Sequence, residues 1–222
     1  SAAELFRRRR SAQAFDPRGR LDLDGLFDLL DALLPRSGVP PWDALPWEPA
    51  LHPMLFLHRV NGIEPGLYAL PRGPRAMGAL PGALRRDWLW ASVEGAPEHL
   101  PLRLLLPFRL QATARQLACL QEIAGDSCLA LGMLADFGEG LEAGRHWYVS
   151  LSWEAGVLGQ SLYLQAEALG LRGTGIGCFF DDPFHELLGL DGEARQILYM
   201  FTLGQALEDQ RLRTEPPYAH LG

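Results

Sequence analysis

The chain has 222 residues, 48% of them hydrophobic, which is enough to bury the core of one domain spanning 1–222. Its net charge of −7 argues against nucleic acid and anionic membrane as partners. All 20 basic residues are arginine, so no Schiff-base lysine, P-loop lysine or lysine general base can be built.

Residues 4–10 (ELFRRRR) can form a short helical turn, closed off by Phe15, Asp16 and Pro17. The stretch LDLDGLFDLLDALL then sets Leu23, Leu26, Phe27, Leu30 and Leu33 at helical spacing, which predicts an amphipathic helix. From Pro35 to Pro53 the proline and tryptophan content predicts an ordered loop. MLFLHRV (54–60) and LYAL (67–70), joined by a turn at NGIEPG, read as a β-hairpin. Residues 78–95 read as helical, and 100–110 as a strand interrupted by Pro107. The stretch from Ala112 to Gly144 gives no clear assignment. Residues 147–171 predict a long, mostly buried helix carrying Leu158, Leu162, Leu164, Ala168 and Leu169 and ending at Gly170. A glycine-rich strand or turn (GTGIGCFF), a short capped helix (DDPFHELLGL) and a central strand (ARQILYMFTLG) follow. The polar segment 205–222 reads as a tail, either disordered or packed on a partner subunit. Mixed helices and strands make the class α+β or α/β.

Most catalytic motifs are absent. GTGIG (173–177) follows a helix rather than a strand, so it is a poor dinucleotide fingerprint. The six histidines show no metal-ligand spacing, and no metal site is expected. Ser127 in GDSCLALG does not complete a nucleophile elbow, and no catalytic residue is assigned. Cys119, Cys128 and Cys178 form no CxxC pair and read as reduced thiols. With no apolar run long enough to span a bilayer and no signal-peptide pattern, a cytoplasmic protein without membrane partners is expected. The arginine run offers more. Ser11 directly after Arg9 and Arg10 assembles a hydroxyl and two guanidinium forks, a donor set suited to a phosphate monoester. Arg211 and Arg213 form a second basic pair that could wall the same anion site.

These residues resemble the flavin-dependent nitroreductase superfamily, and within it the SagB-type branch that includes azoline oxidases. RRSAQAFDP (9–17) resembles the N-terminal RRSxRxF motif, and IEPGLYAL (63–70) resembles the branch's strand turn. Residues 154–192 resemble its long helix and following glycine strand, and LYMFTLGQ (198–205) its last core strand. The resemblance implies an α+β nitroreductase-like fold, a central mixed or antiparallel sheet flanked by helices, in an intertwined homodimer with FMN at the subunit interface. It further implies that Arg9, Arg10 and Ser11, with Arg211 and Arg213, hold the FMN phosphate and ribityl chain. Gln13 would face the isoalloxazine edge, and the backbone around Gly177 and Cys178 would face N5, in a strand whose glycines let the ring come close. NADH or NADPH would serve as reductant, with a small molecule or peptide as substrate.

Two departures stand out. The family's small polar loop is replaced here by PWEPALHP (46–53); the resemblance then implies that Pro46 and Trp47 lie at the flavin, with the tryptophan either stacking on its edge or filling the pocket outright, and that Glu48 would repel a phosphate or reduced flavin. The Lys–Tyr pair of azoline oxidases has no counterpart, since GEGLEAGRHWY supplies only Arg145 and Tyr148, and arginine stays protonated. Two readings therefore stand: an FMN-dependent oxidoreductase, or a non-catalytic flavin-binding or interaction domain on the same fold.

Overall fold

Strand β5 (Leu129–Asp136), at the middle of the molecule, comes from the stretch that resisted assignment. Its residues point alternately into two separate cores. Leu129, Leu131 and Met133 face one, and Ala130 and Leu134 face the other. A strand buried on both faces reads as a continuous apolar run with no period-2 signal.

The computed structural model describes residues 1–144, 146–215 and 217–221. Around β5 lie β1 (Leu51–Leu57), β2 (Gly66–Ala69), β3 (Ala91–Ser92), β4 (Arg103–Leu106), β6 (Arg172–Ile176) and β7 (Arg195–Gly204). They form one sheet in the order β3-β4-β2-β1-β5-β7-β6, with every strand pair antiparallel. The N-terminal segment extends the β6 edge through a single parallel bridge from Ser11 to Gly173. On one face the core is built by α2 (Leu23–Asp31) and α7 (His146–Ala168). On the other it is built by α3 (Pro74–Ala83), α4 (Gln111–Leu117), α5 (Glu122–Asp126) and α8 (Asp181–Leu188). Two short helices complete the chain, α1 (Ala2–Arg8) and α6 (Gly138–Ala143). This is an α+β fold with helices on both faces of an antiparallel sheet.

Several boundaries differ from the sequence reading. Strand β1 starts at Leu51 and includes Pro53. The proline is tolerated because the next strand, β2, ends at Ala69; there the Pro53 carbonyl accepts the Leu70 N–H (2.9 Å), and no further ladder donor is needed. The helix expected over 78–95 instead runs from Pro74 to Ala83. Proline at its first turn starts it early. Beyond it, the Arg85 N–H turns to the Leu188 carbonyl (2.9 Å) and the Leu89 N–H to Leu105 (3.0 Å), so this stretch is tied to α8 and the sheet rather than to a helix.

Helix α7 is less buried than its leucines suggest. Leu158 and Leu162 are buried, but Leu164 and Leu169 are only partly covered and Ala168 is exposed. Tyr148, Val149 and Trp153 stand on its exposed side. None of the helices among the described residues is long and apolar enough to cross a membrane.

Candidate functional site

Inside β7, Met133 pairs with Tyr199 and Leu134 with Ile197, so Leu198 is an extra residue in the ladder. A bulge of this kind re-aims side chains. Here it sends both Leu198 and Tyr199 to the α7 side, where they floor a groove of about 350 Å³. The groove wall is one stripe of α7: Tyr148, Ser152, Gly156, Gly159 and Tyr163, which recur at spacings of three and four. A Cβ added at Gly156 or Gly159 meets nothing within 4 Å, so the groove exists because these side chains are missing.

The β6 end of the groove is a hydrogen-bonded cluster. The Tyr163 hydroxyl accepts the Gly175 N–H (2.9 Å) and lies 3.0 Å from Ser11 Oγ, a bond in which either hydroxyl can donate. Ala12 N–H donates to the Gly173 carbonyl (3.1 Å), and Thr174 Oγ1 donates to the Ala12 carbonyl (2.6 Å). The Arg9 guanidinium lies 4.8 Å from the Tyr163 ring centroid, a cation–π contact. Arg10 donates to the carbonyls of Arg7 and Arg9 and, at 3.3 Å, to that of Glu215. This last bond draws the tail toward the arginine run, as do the Phe15–Ala206 bridge and the bond from Leu207 N–H to the Ala14 carbonyl.

The two basic clusters are thus brought near each other, but each is engaged within the chain. Arg211 forks onto Asp209 (2.7 and 2.9 Å), which raises the guanidinium pKa and holds the carboxyl below its usual range. Arg211 is 89% exposed and Asp209 half-buried, so this pair is weak and can be exchanged for another anion. Arg213 and Gln13 are exposed.

The glycines of β6 do not serve as open space for a ligand ring. A Cβ at Gly173 would sit 2.5 Å from Phe201, and one at Gly175 would sit 2.3 Å from the Tyr199 hydroxyl. The chain's own rings fill these positions, the cross-strand packing of aromatics over glycine. A Cβ at Gly177, just past the strand, would make only an ordinary 3.7 Å contact with Tyr199, so the backbone is less crowded there than at Gly173 and Gly175.

Pro46 and Trp47 do not line this groove. Trp47 Nε1 donates to Glu154 (3.2 Å), and its ring stacks on Trp153 with centroids 6.4 Å apart. Along α7 that is nine residues from Tyr163, about 14 Å. Within one chain, then, Trp47 is docked on α7 away from the arginine run, against Trp153 and Glu154. Glu48 faces a second cavity of about 280 Å³ whose walls include Arg72, Asp136 and Trp147. Burial opposes the Asp136 charge, but the His52 hydrogen bond and the nearby arginines outweigh it and lower the carboxyl pKa. Arg145 lies outside the described residues. Among those described, no group of three or more His, Cys, Asp or Glu converges on a metal position.

Tyr163, Tyr199 and the small residues of α7 were not singled out from the sequence. The one available signal was GVLGQS, two glycines inside a helical pattern where glycine costs stability. The cysteines also change standing. Read as separate thiols, Cys119 and Cys178 are brought to 2.7 Å Sγ–Sγ, while Cys128 is buried elsewhere.

The architecture matches solved proteins along nearly its whole length. A crystal structure described as that of a nitroreductase from Anabaena variabilis superposes with a TM-score of 0.66 at 24% identity over 93% of this chain. The fold is that of the nitroreductases. The NADPH:FMN oxidoreductase of Vibrio harveyi, solved with NAD+, shares this nitroreductase fold at a TM-score of 0.58 and 16% identity, covering 99% of this chain and 74% of that one. The E. coli microcin synthetase McbBCD complex, solved with truncated pro-MccB17 bound, matches at 0.64 and 17% identity, over 94% of this chain and 73% of the other. The chain spans only 38% of the length of the Anabaena protein. A sequence model of the Nitroreductase family matches residues 130–205, which run from β5 through the groove wall to the end of β7. A comparison with curated proteins finds no match.

Proposed function

We propose that this chain is an FMN-dependent oxidoreductase of the nitroreductase superfamily, acting as a homodimer on a small molecule or peptide, with NADH or NADPH as reductant. The observation that carries the proposal is the groove between α7 and the bulge of β7, kept open by Gly156 and Gly159 on a nitroreductase fold. Arg9, Arg10 and Ser11 would hold the phosphate at the β6 end, joined by Arg211 and Arg213 once the Arg211–Asp209 contact is exchanged. Gln13 would lie on the ring edge, and the backbone at Gly177 and Cys178 beside N5. Pro46 and Trp47 would meet the flavin edge or fill the space beside it. When bound, FMN supplies the hydride acceptor and donor, so the reaction needs no lysine base. The protein's part is to orient the substrate and exclude water.

The exposed apolar side of α7 (Tyr148, Val149, Trp153) supports a second copy covering the groove. The SagB-type branch remains the reading of the EPGLY and RRSAQAF motifs. The aromatic filling over Gly173 and Gly175 and the docked Trp47 favour the second reading, a flavin binder that does not turn over.

Titration of the purified protein with FMN separates these. Flavin fluorescence is expected to be quenched and the melting temperature to rise. Arg211→Ala with Arg213→Ala should weaken binding roughly ten- to a hundredfold, as charge-assisted phosphate contacts are lost. Anaerobic NADH or NADPH should then bleach the bound flavin. Absence of both quenching and stabilisation would exclude flavin binding; quenching without bleaching would select the silent binder.

A further inference from the structure

The connection after α4 takes an unusual path. Cys119 and Leu120 both have positive φ, +52° and +61°, where non-glycine residues pay a steric penalty. The segment after β6 is fastened to this connection from two sides. The Phe180 N–H donates to the Leu117 carbonyl (2.8 Å), and Gln121 Nε2 donates to the Cys178 carbonyl (3.3 Å). Held between these bonds, Cys119 Sγ and Cys178 Sγ face each other at 2.7 Å. That is too close for two unbonded sulfurs at rest, and about 0.7 Å from a disulfide bond of about 2.05 Å. Cys178 is exposed and Cys119 half-buried, so one sulfur is open to reagents and the other stands directly behind it.

We infer that Cys119 and Cys178 form a reversible dithiol–disulfide pair, oxidised by exchange with a low-molecular-weight disulfide such as oxidised glutathione. The inference rests on the contact between the two loops and is independent of flavin binding.

The exposed Cys178 thiolate attacks one sulfur of the small disulfide. That S–S bond breaks, one small thiolate leaves, and Cys178 carries a mixed disulfide. Cys119 then loses its proton to solvent and attacks Cys178 Sγ, expelling the second small thiol. Two protein thiols are oxidised by two electrons, and the small disulfide is reduced to two thiols. Cys178 is the attacking sulfur because it is the exposed one, and Cys119, half-buried behind it with its thiol pushed up to about 11 in the reduced pair by the hydrogen bond with Cys178, is the resolving one. Closure links the α4–α5 connection to the β6–α8 connection, one residue beyond Gly177, where an added Cβ would lie 3.7 Å from the Tyr199 ring that floors the groove.

The test equilibrates the purified full chain in glutathione redox buffers, then unfolds it and alkylates free thiols for mass analysis. The reduced protein should label at three cysteines and the oxidised one at Cys128 alone, with a recovered peptide linking Cys119 to Cys178. Reduction should lower the melting temperature by roughly 5–10 °C, as a long closed loop is released. Cys128→Ser should keep the bridge. Cys119→Ser should stop at a glutathione adduct on Cys178, because the resolving thiol is missing. The inference is overturned if the oxidised wild-type protein still labels at three cysteines, stops at the Cys178 adduct, or bridges through Cys128.

Discussion

Arg72 and Glu154 form an ion pair in which neither side chain is more than 1% exposed, and this pair fastens the PWEP loop to α7. Glu154 also accepts the N–H groups of Ala50 (3.1 Å) and Leu51 (3.2 Å) and the Trp47 indole. Arg72 donates to the carbonyls of Leu33 (2.7 Å) and Leu51 (3.0 Å) and lies 4.4 Å from the Trp42 ring centroid. Burial lowers the arginine's pKa while the carboxylate opposes it, and a guanidinium remains charged under those opposing effects.

Removing one partner strands the other charge. Glu154→Ala and Arg72→Ala should each destabilise the protein by about 3–5 kcal/mol, the usual cost of breaking a buried pair. The double variant should lose clearly less than the sum, because the second deletion removes the stranded charge. Urea denaturation of the four proteins measures this coupling; strict additivity would mean that the pair is not an energetic unit.

His58 makes stability depend on pH. Burial, with a smaller contribution from Arg59, lowers its pKa from 6.5 to about 4, so the folded ring is neutral and bonds to the Ala124 carbonyl at 3.2 Å. As pH falls from 6.5 toward 4 the unfolded chain takes up a proton that the folded chain refuses, and stability drops by roughly 3 kcal/mol. His58→Gln should flatten this window in denaturant midpoints recorded against pH. A further loss below about pH 4, from the depressed Asp136 carboxyl, should survive that substitution.

The groove glycines separate stability from binding. Gly156→Ala and Gly159→Ala should each raise stability by about 0.5–1 kcal/mol, since glycine inside a helix is costly and the added methyl meets no neighbour. If the groove holds flavin, the pair together should weaken FMN binding by about tenfold or more. Thermal unfolding and FMN titration on the same samples give both values, and unchanged affinity would move the flavin site elsewhere.

The β6 glycines behave oppositely. Gly175→Ala places a methyl 2.3 Å from the Tyr199 hydroxyl and should destabilise by about 1–3 kcal/mol. Adding Tyr199→Phe removes that oxygen and should recover part of the loss, though the ring edge at 2.9 Å remains. No recovery in the double variant would place the clash on backbone rather than on Tyr199.

Local chemistry made much of this molecule legible in one dimension. The leucine spacing of α2, the Asp–Asp–Pro start and glycine end of α8, and the Gly170 stop of α7 are each decided within a few residues, by periodicity, capping and positive φ. The RRSAQAF and EPGLYAL motifs carried the fold by resemblance. Strand β5 was not legible, because burial on both faces erases alternation. The Leu198 bulge, the tyrosines lining the groove, the Arg72–Glu154 pair and the Cys119–Cys178 contact were out of reach for a common reason. Each joins residues at least 59 positions apart or depends on ladder register, and no local propensity encodes which distant strand a segment pairs with. The sequence by itself determined the limits of α2, the ends of α7 and α8 and which residue types are available for chemistry; only tertiary packing, which brings distant segments together, decided which of them meet.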